Sequence, residues 1–287
     1  MEDIKLQSPV QWVGGKKRII NNITNYIPKH FEQYHELFLG GGALLFHLKH
    51  KKSIINELNP NLINLYNVIK FNVEIFVTNI NEIKTEYNNL DLDNKKKYYL
   101  KLRSEYNKLK NNLVHSGRLS EIFIFLNRTC FNSVYRENSK GEYNVPFGNG
   151  KNICFNTENI ENVSKYLTHV DLYNNDFKEQ VKYIKTNDFV YLDPPYYNTF
   201  TGYNKEKWTQ ENSLEVLHIF KSLTEKGVAV ILSNNNDPEY IKIVNNILVI
   251  DSYKITEVSI SRTLNSNISE RKKKKCEILI INKYCNI

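Results

Sequence analysis

The 287-residue sequence predicts an α/β fold, a mostly parallel sheet whose chain is interrupted by a long helical insertion. Three observations carry that expectation. Residues 33–49 read as a short strand, a run of glycines and a helix, and residues 52–58 as a second short strand, which together make a β-α-β unit with a parallel pair. From about residue 62 to 127 the apolar spacing is helical throughout, and residues 133–148 then form two extended runs around Asn138-Ser139-Lys140-Gly141, a β-hairpin signal. The α/β rhythm resumes near Thr168, with strand patterns at 169–174, 188–193 and 227–234 and a helical pattern at 214–223. Residues 253–261 and 276–284 close the chain as an antiparallel pair expected at the sheet edge. Asn59-Pro60 supplies a cap and a first-turn proline for the first inserted helix.

Composition narrows the class. Hydrophobic residues make up 41% of the chain, and no apolar run approaches the roughly 18 residues that span a bilayer, so a soluble protein is expected. The start, Met1-Glu2-Asp3-Ile4-Lys5, lacks a basic flank and an apolar segment, which places the expectation inside a cell. Cys130, Cys154, Cys276 and Cys285 stand apart without ligand spacing and read as reduced thiols. His47 and His50 lie three apart on a helix without further ligands nearby and read as packing residues; no metal is expected. A net charge of +8 favours polyanionic partners without requiring them. The run Arg271-Lys272-Lys273-Lys274-Lys275 suits a solvated loop or a phosphate contact equally.

Two segments carry chemistry. Asp193-Pro194-Pro195-Tyr196 ends an apolar strand, where ligand groups gather in open α/β sheets. Consecutive prolines remove two N–H donors, leaving carbonyl oxygens and the Asp193 carboxylate as acceptors, and Tyr196 adds an aromatic face for a planar base. Such a lining suits a substrate that donates through a conjugated NH2 group. The second segment is Phe38-Leu39-Gly40-Gly41-Gly42, followed by Glu57 at the end of the next strand pattern. Glycines admit a ligand close to the backbone, and an acid one strand later accepts from ribose hydroxyls. This is neither a Walker A loop nor a complete GxGxxG. Lys16, in Trp12-Val13-Gly14-Gly15-Lys16, reads either as a solvated lysine after a turn or as an ammonium brought to a carboxylate.

In the order WxGGK, FxGxG, insertion, DPPY, the chain resembles the Dam-type DNA adenine-N6 methyltransferases from about Pro9 to Tyr284. The resemblance implies a Rossmann-like sheet binding S-adenosyl-L-methionine, with residues 1–61 and 160–287 forming the catalytic domain and 62–159 a helical and hairpin target-recognition domain. It implies that Trp12, Lys16, Phe38, Gly40, Gly42, Glu57, Asp176, Phe177 and Asp193 bind the cofactor. Glu57 would hold its ribose and Asp176 its adenine amine. Asp193, Pro194, Pro195 and Tyr196 would hold a flipped adenine under a loop containing Tyr203.

The insertion matches a recognition hairpin through Arg128, Phe131, Asn132, Val134, Arg136 and Pro146, while Ser261 and Arg262 approach phosphate or form a solvated turn. Arg136 suits guanine O6 and N7, Phe131 a wedge into the base stack, and Val134 with Pro146 a thymine methyl. The implied site is GATC in double-stranded DNA, although Phe131 and Ser133-Val134 stand where the family commonly has Tyr and Gly-Leu. Cytosine N4 or an RNA adenine as the methylated amine, and a non-catalytic DNA-binding homologue, are the competing readings. A monomer or a weak dimer fits equally.

Overall fold

The computed structural model describes residues 4–111, 116–198, 208–260 and 275–286. Its frame is a seven-stranded sheet built from β1 (Tyr34–Glu36), β2 (Ser53–Asn56), β3 (Val170–Tyr173), β4 (Phe189–Leu192), β5 (Ala229–Asn235), β6 (Tyr253–Ile260) and β7 (Lys275–Asn282). They lie in the order β3-β2-β1-β4-β5-β7-β6. The first five in that order are mutually parallel; β7 runs antiparallel to both neighbours. The closing pair thus sits at the edge as expected, with β7 inserted between β5 and β6. Sequence order reverses direction across the sheet between β1 and β4, and the crevice beyond the carboxyl ends at such a point is where open α/β sheets bind ligands.

The helices are α1 (Ile20–Thr24), α2 (Ala43–Leu48), α3 (Pro60–Phe71), α4 (Val73–Asn88), α5 (Leu92–Asn111), α6 (Gly117–Thr129), α7 (Thr157–Leu167), α8 (Phe177–Gln180), α9 (Gln210–Glu225) and α10 (Pro238–Ile247). Central strands are buried on both faces, which is why they read as continuous apolar runs. Their alternation divides the interior. Phe189, Tyr191 and Ile231 face one core, which continues without a break into α3, α4, α5 and α6; Val190, Leu192, Val230 and Leu232 face the other, beneath α9 and α10.

Asn59 caps α3 by accepting from the Asn61 and Leu62 backbone N–H groups at 3.0 and 3.4 Å, with Pro60 in the first turn. The expected 61/62 boundary therefore falls inside α3. That helix packs on α6 and α7 and reaches back to the sheet, where the Tyr66 hydroxyl donates to the Gly41 carbonyl at 3.1 Å. At the centre of the insertion α6 is buried on nearly all sides from Leu119 to Asn127, and its polar members are satisfied locally. Ser120 accepts from Asn64 at 2.8 Å and Glu121 from Asn79 at 2.6 Å.

The expected two-stranded hairpin is looser than its sequence suggests. It contains isolated bridges, Glu137 with Tyr143 and Cys130 with Phe147, and a 3-10 turn at Phe131–Ser133 in which Asn132 and Ser133 have φ of 55° and 50°. Those left-handed residues interrupt a ladder, and much of the backbone bonds instead to side chains of α5. No helix among the described residues is long and apolar enough to cross a membrane.

Candidate active site

The carboxyl ends of β1, β2 and β4 open onto a cavity of about 450 Å³, within the usual range of small-molecule sites. Trp12, Lys16, Phe38, Gly40, Glu57, Asp176, Phe177, Asp193, Pro194, Pro195 and Tyr196 all line it, so widely separated segments of sequence meet on one wall. Gly42 stands just behind. Its φ of 68° starts α2, and a Cβ there would come within 2.8 Å of the Phe46 ring. Gly40 has φ of 51°, and a Cβ on it would lie 2.9 Å from Trp12 Cδ1. The glycines are therefore required both by backbone conformation and by the close approach of the indole.

At the centre of the cavity Lys16 is buried, and its Nζ lies 2.7 Å from Asp193 Oδ2 and 2.7 Å from the Gly14 carbonyl. The same ammonium is 5.0 Å from the centroid of the Tyr196 ring. Asp193 Oδ1 is buried without a hydrogen-bond partner. Burial pushes the Asp193 carboxyl up to about 6, with Lys16 pulling it down and Glu277 adding a smaller push upward. Beside it, Glu36 at the end of β1 is driven up to about 8 by burial, although Tyr34 donates to its Oε2 at 2.8 Å.

The flanks of the cavity differ from its centre. Glu57 Oε2 accepts from the Gly40 N–H at 2.8 Å and Oε1 from the Asn59 N–H at 2.9 Å, which ties the glycine loop to the end of β2. Burial nevertheless raises its pKa above the ordinary carboxylate value. Asp176 is exposed at the rim and caps α8 by accepting from Lys178 N at 2.9 Å. Phe38, Phe177 and Trp208 form an aromatic wall, their ring centroids 5.0 to 5.9 Å apart.

The insertion residues expected to contact DNA do not line the cavity. Phe131, Asn132, Arg136 and Pro146 are exposed, and Val134 is half-buried against the insertion's core. Arg136 is oriented by its neighbour across the hairpin: Nε donates to Asn144 Oδ1 at 2.8 Å and Nη2 to the Asn144 carbonyl at 3.4 Å. Arg128, expected from the sequence to contact DNA, is half-buried. Its Nη2 donates to the Pro9 carbonyl at 2.9 Å, its Nε is buried, and burial lowers its pKa; it braces the amino-terminal segment against α6. Asn127 does the same work on both backbone groups of Gln11, at 2.9 and 2.8 Å. Tyr203, Ser261 and Arg262 lie outside the described residues.

Among the lining residues absent from the sequence expectations are Glu36, Trp208 and Glu277. Glu36, a lone acid ending a buried strand just before the glycines, carried a usable signal. Trp208 and Glu277 arrive from distant segments with no local pattern. Glu277, on β7, is 8% exposed and its Oε2 is unpartnered. His50 stacks on Phe31 at 4.5 Å and its Nδ1 lies 2.8 Å from the Lys52 carbonyl, a packing arrangement. No group of three or more His, Cys, Asp or Glu among the described residues is placed to hold a metal ion.

A sheet of this order, with a glycine turn after its first strand and an acid-rich, aromatic-walled cavity at the switch point, is the architecture of an S-adenosylmethionine-dependent methyltransferase. Within that class, the chain belongs to the D12 class N6 adenine-specific DNA methyltransferases, whose family model matches residues 12–264. It is 34% identical over 288 residues to the Type II methyltransferase M.MjaIII of Methanocaldococcus jannaschii, covering 95% of this chain and 98% of that protein. It is also 34% identical to the Type II methyltransferase M1.LlaDCHI of Lactococcus lactis subsp. cremoris, with 97% and 96% of the two chains covered. Against the DNA adenine methylase of Escherichia coli strain K12 the identity is 27%, with 92% and 91% covered. The protein is thus an adenine-specific DNA methyltransferase that uses S-adenosyl-L-methionine and acts on DNA.

Proposed function

We propose that the enzyme extrudes an adenine from duplex DNA, within GATC, and methylates its N6 amine by direct in-line attack without a covalent enzyme intermediate. The observation that carries this reading is the state of Asp193: Oδ2 is held by Lys16, whereas the buried Oδ1 has no partner and the carboxylate lines the cavity beside Tyr196. Leaving a buried acceptor unsatisfied costs about 1–3 kcal/mol. A ligand that donates through an NH2 group relieves that penalty.

Adenine's amino lone pair is conjugated with the ring, so the nitrogen is a poor nucleophile. Asp193 Oδ1 and the carbonyl of Pro194, which has no competing N–H, accept its two hydrogens and hold them away from the planar arrangement. The lone pair then localises on nitrogen. After transfer the nitrogen carries one proton too many, and Asp193 Oδ1, with its pKa pushed up to about 6, accepts it. Tyr196 supplies a surface on which the base stacks. An adenine inside the duplex cannot reach this cavity, and extrusion costs a few kcal/mol, which stacking and phosphate contacts recover.

The residues present fit the cofactor. Phe38, Phe177 and Trp208 suit a purine ring, Glu57 the ribose, and Lys16 the amino-acid carboxylate, while Glu36, Asp193 and Glu277 give an interior suited to a cationic sulfonium. When bound, S-adenosylmethionine supplies an electrophilic methyl group on sulfur.

The GATC assignment rests on the resemblance of the recognition hairpin, supported by the exposure of Phe131, Arg136 and Pro146. With Nε and part of Nη2 engaged by Asn144, the outer Nη1–Nη2 edge of Arg136 stays open for a guanine. Single-molecule sequencing of DNA from a methylation-free strain expressing the chain tests the site: N6-methyladenine is expected at GATC, and methylation at another motif overturns the assignment. A duplex with 2-aminopurine at the target position tests extrusion. Its fluorescence, quenched in the stack, is expected to rise on binding, and an unchanged signal in a tight complex contradicts flipping.

A further inference from the structure

We infer that Asn107, on a helix that carries none of the base-contacting residues, is a specificity-determining positioning residue: it fixes where the Arg136 guanidinium stands. The inference rests on the reading of Arg136 as the guanine contact.

The recognition hairpin lacks a continuous strand ladder, and the missing bonds are supplied from one stripe of α5. The Lys110 ammonium donates to the Gly141 carbonyl at 2.7 Å, and Asn107 Nδ2 to the Tyr143 carbonyl at 3.1 Å. Arg103 Nη1 and the Tyr99 hydroxyl donate to the Val145 carbonyl at 2.9 and 2.8 Å, and Lys95 to the Gly150 carbonyl at 3.2 Å. The spacing has a geometric reason. Four helical residues rise about 6 Å, and two extended residues rise about 6.7 Å. Side chains three to four apart on α5 therefore meet the carbonyls of alternate hairpin residues 141, 143 and 145, which point to one side.

Within this set only Asn107 engages both groups of one hairpin residue, since its Oδ1 also accepts from the Tyr143 N–H at 2.8 Å. It takes the place that a neighbouring strand would occupy. The next residue, Asn144, orients Arg136 through Nε at 2.8 Å, and its own N–H donates to the Arg136 carbonyl at 3.2 Å. The chain of contacts is short: α5 side chain, Tyr143 backbone, Asn144, guanidinium. A bidentate contact to guanine requires the fork to be held to within a fraction of an ångström. Asn107 is the α5 side chain that holds the residue next to Asn144.

The test compares wild type with Asn107→Ala, Asn107→Asp and Arg136→Ala by sequencing N6-methyladenine in DNA from a methylation-free strain, where every sequence context competes at once. Cofactor affinity and thermal stability are measured on the purified proteins. Asn107→Ala is expected to lower discrimination about tenfold at the same base pair that Arg136→Ala relaxes, with cofactor affinity unchanged. Asn107→Asp keeps the bond from Tyr143 N–H and is expected to fall between wild type and Asn107→Ala, which separates positioning from loss of folding. If Arg136→Ala relaxes one base pair and both Asn107 variants keep the wild-type profile, the inference fails and the reading of Arg136 stands. If Arg136→Ala itself relaxes nothing, the reading of Arg136 fails and the inference with it.

Discussion

The cofactor cavity and the recognition hairpin are built by opposite means. Around the cavity, local sequence decides the geometry: Gly40 takes a left-handed turn against Trp12, Asp193 and Glu36 end buried strands, and Pro194-Pro195 stiffens the exit. In the hairpin, geometry is imposed from outside. Asn132 and Ser133 break its regular pairing, and α5 holds its backbone through side chains that lie 31 to 46 residues away in sequence, from Lys110 on Gly141 to Arg103 and Tyr99 on Val145. The cavity takes its positions from the sheet; the hairpin proposed to read sequence takes its positions from α5. The comparison indicates that catalytic and specificity defects should separate by mutation.

The largest effect is expected at the centre of the cavity. Asp193→Ala removes the acceptor and strands the Lys16 ammonium, and the single-turnover rate of methyl transfer should fall by about 10²–10³ or more, with the methylated motif unchanged among residual events. A shift of motif instead would break the separation. Gly40→Ala comes next. Its left-handed backbone costs roughly 1–2 kcal/mol with a side chain, and the new Cβ meets the indole at 2.9 Å. Titration calorimetry should give about tenfold weaker cofactor binding with discrimination intact.

The last effect is read on the stability of the cofactor-free protein. Glu36 is driven up to about 8 by burial from an ordinary value of 4.5, so the folded state binds its proton more tightly than the unfolded chain does. Its contribution to stability is complete below 4.5 and is lost as pH rises through about 8. Glu36→Gln should remove that loss, so that its stability advantage over wild type in the cofactor-free protein is greater at pH 9 than at pH 6 by on the order of 3 kcal/mol. Denaturant unfolding at both pH values checks this, and equal losses in both proteins would show that Glu36 ionises without penalty.

The same contrast explains what the sequence makes legible. Strand and helix elements of the sheet announce themselves locally, as the apolar run at 189–192 and the Asn59-Pro60 cap do. Glycine and proline motifs point to one cavity, and the fold brings them there. The hairpin reads as a regular strand pair and closes only through isolated bridges, because nothing in residues 133–148 reveals that further partners of its backbone lie on α5. Lys95, Tyr99, Arg103, Asn107 and Lys110 look in sequence like one face of an ordinary solvated helix. The partner of Arg128 is hidden for a related reason: the Pro9 carbonyl it binds is 119 positions away. Trp208 and Glu277 likewise enter the cavity through tertiary contact alone.

The pH dependence of single-turnover methyl transfer in wild type and Lys16→Met tests the account of Asp193 most directly. An ionised Asp193 is required, so the wild-type rate should be lost as pH falls through about 6. Without the ammonium that lowers the Asp193 pKa, the acid limb of Lys16→Met should move to higher pH. Acid limbs that coincide in the two proteins would contradict the role assigned to the Lys16–Asp193 pair.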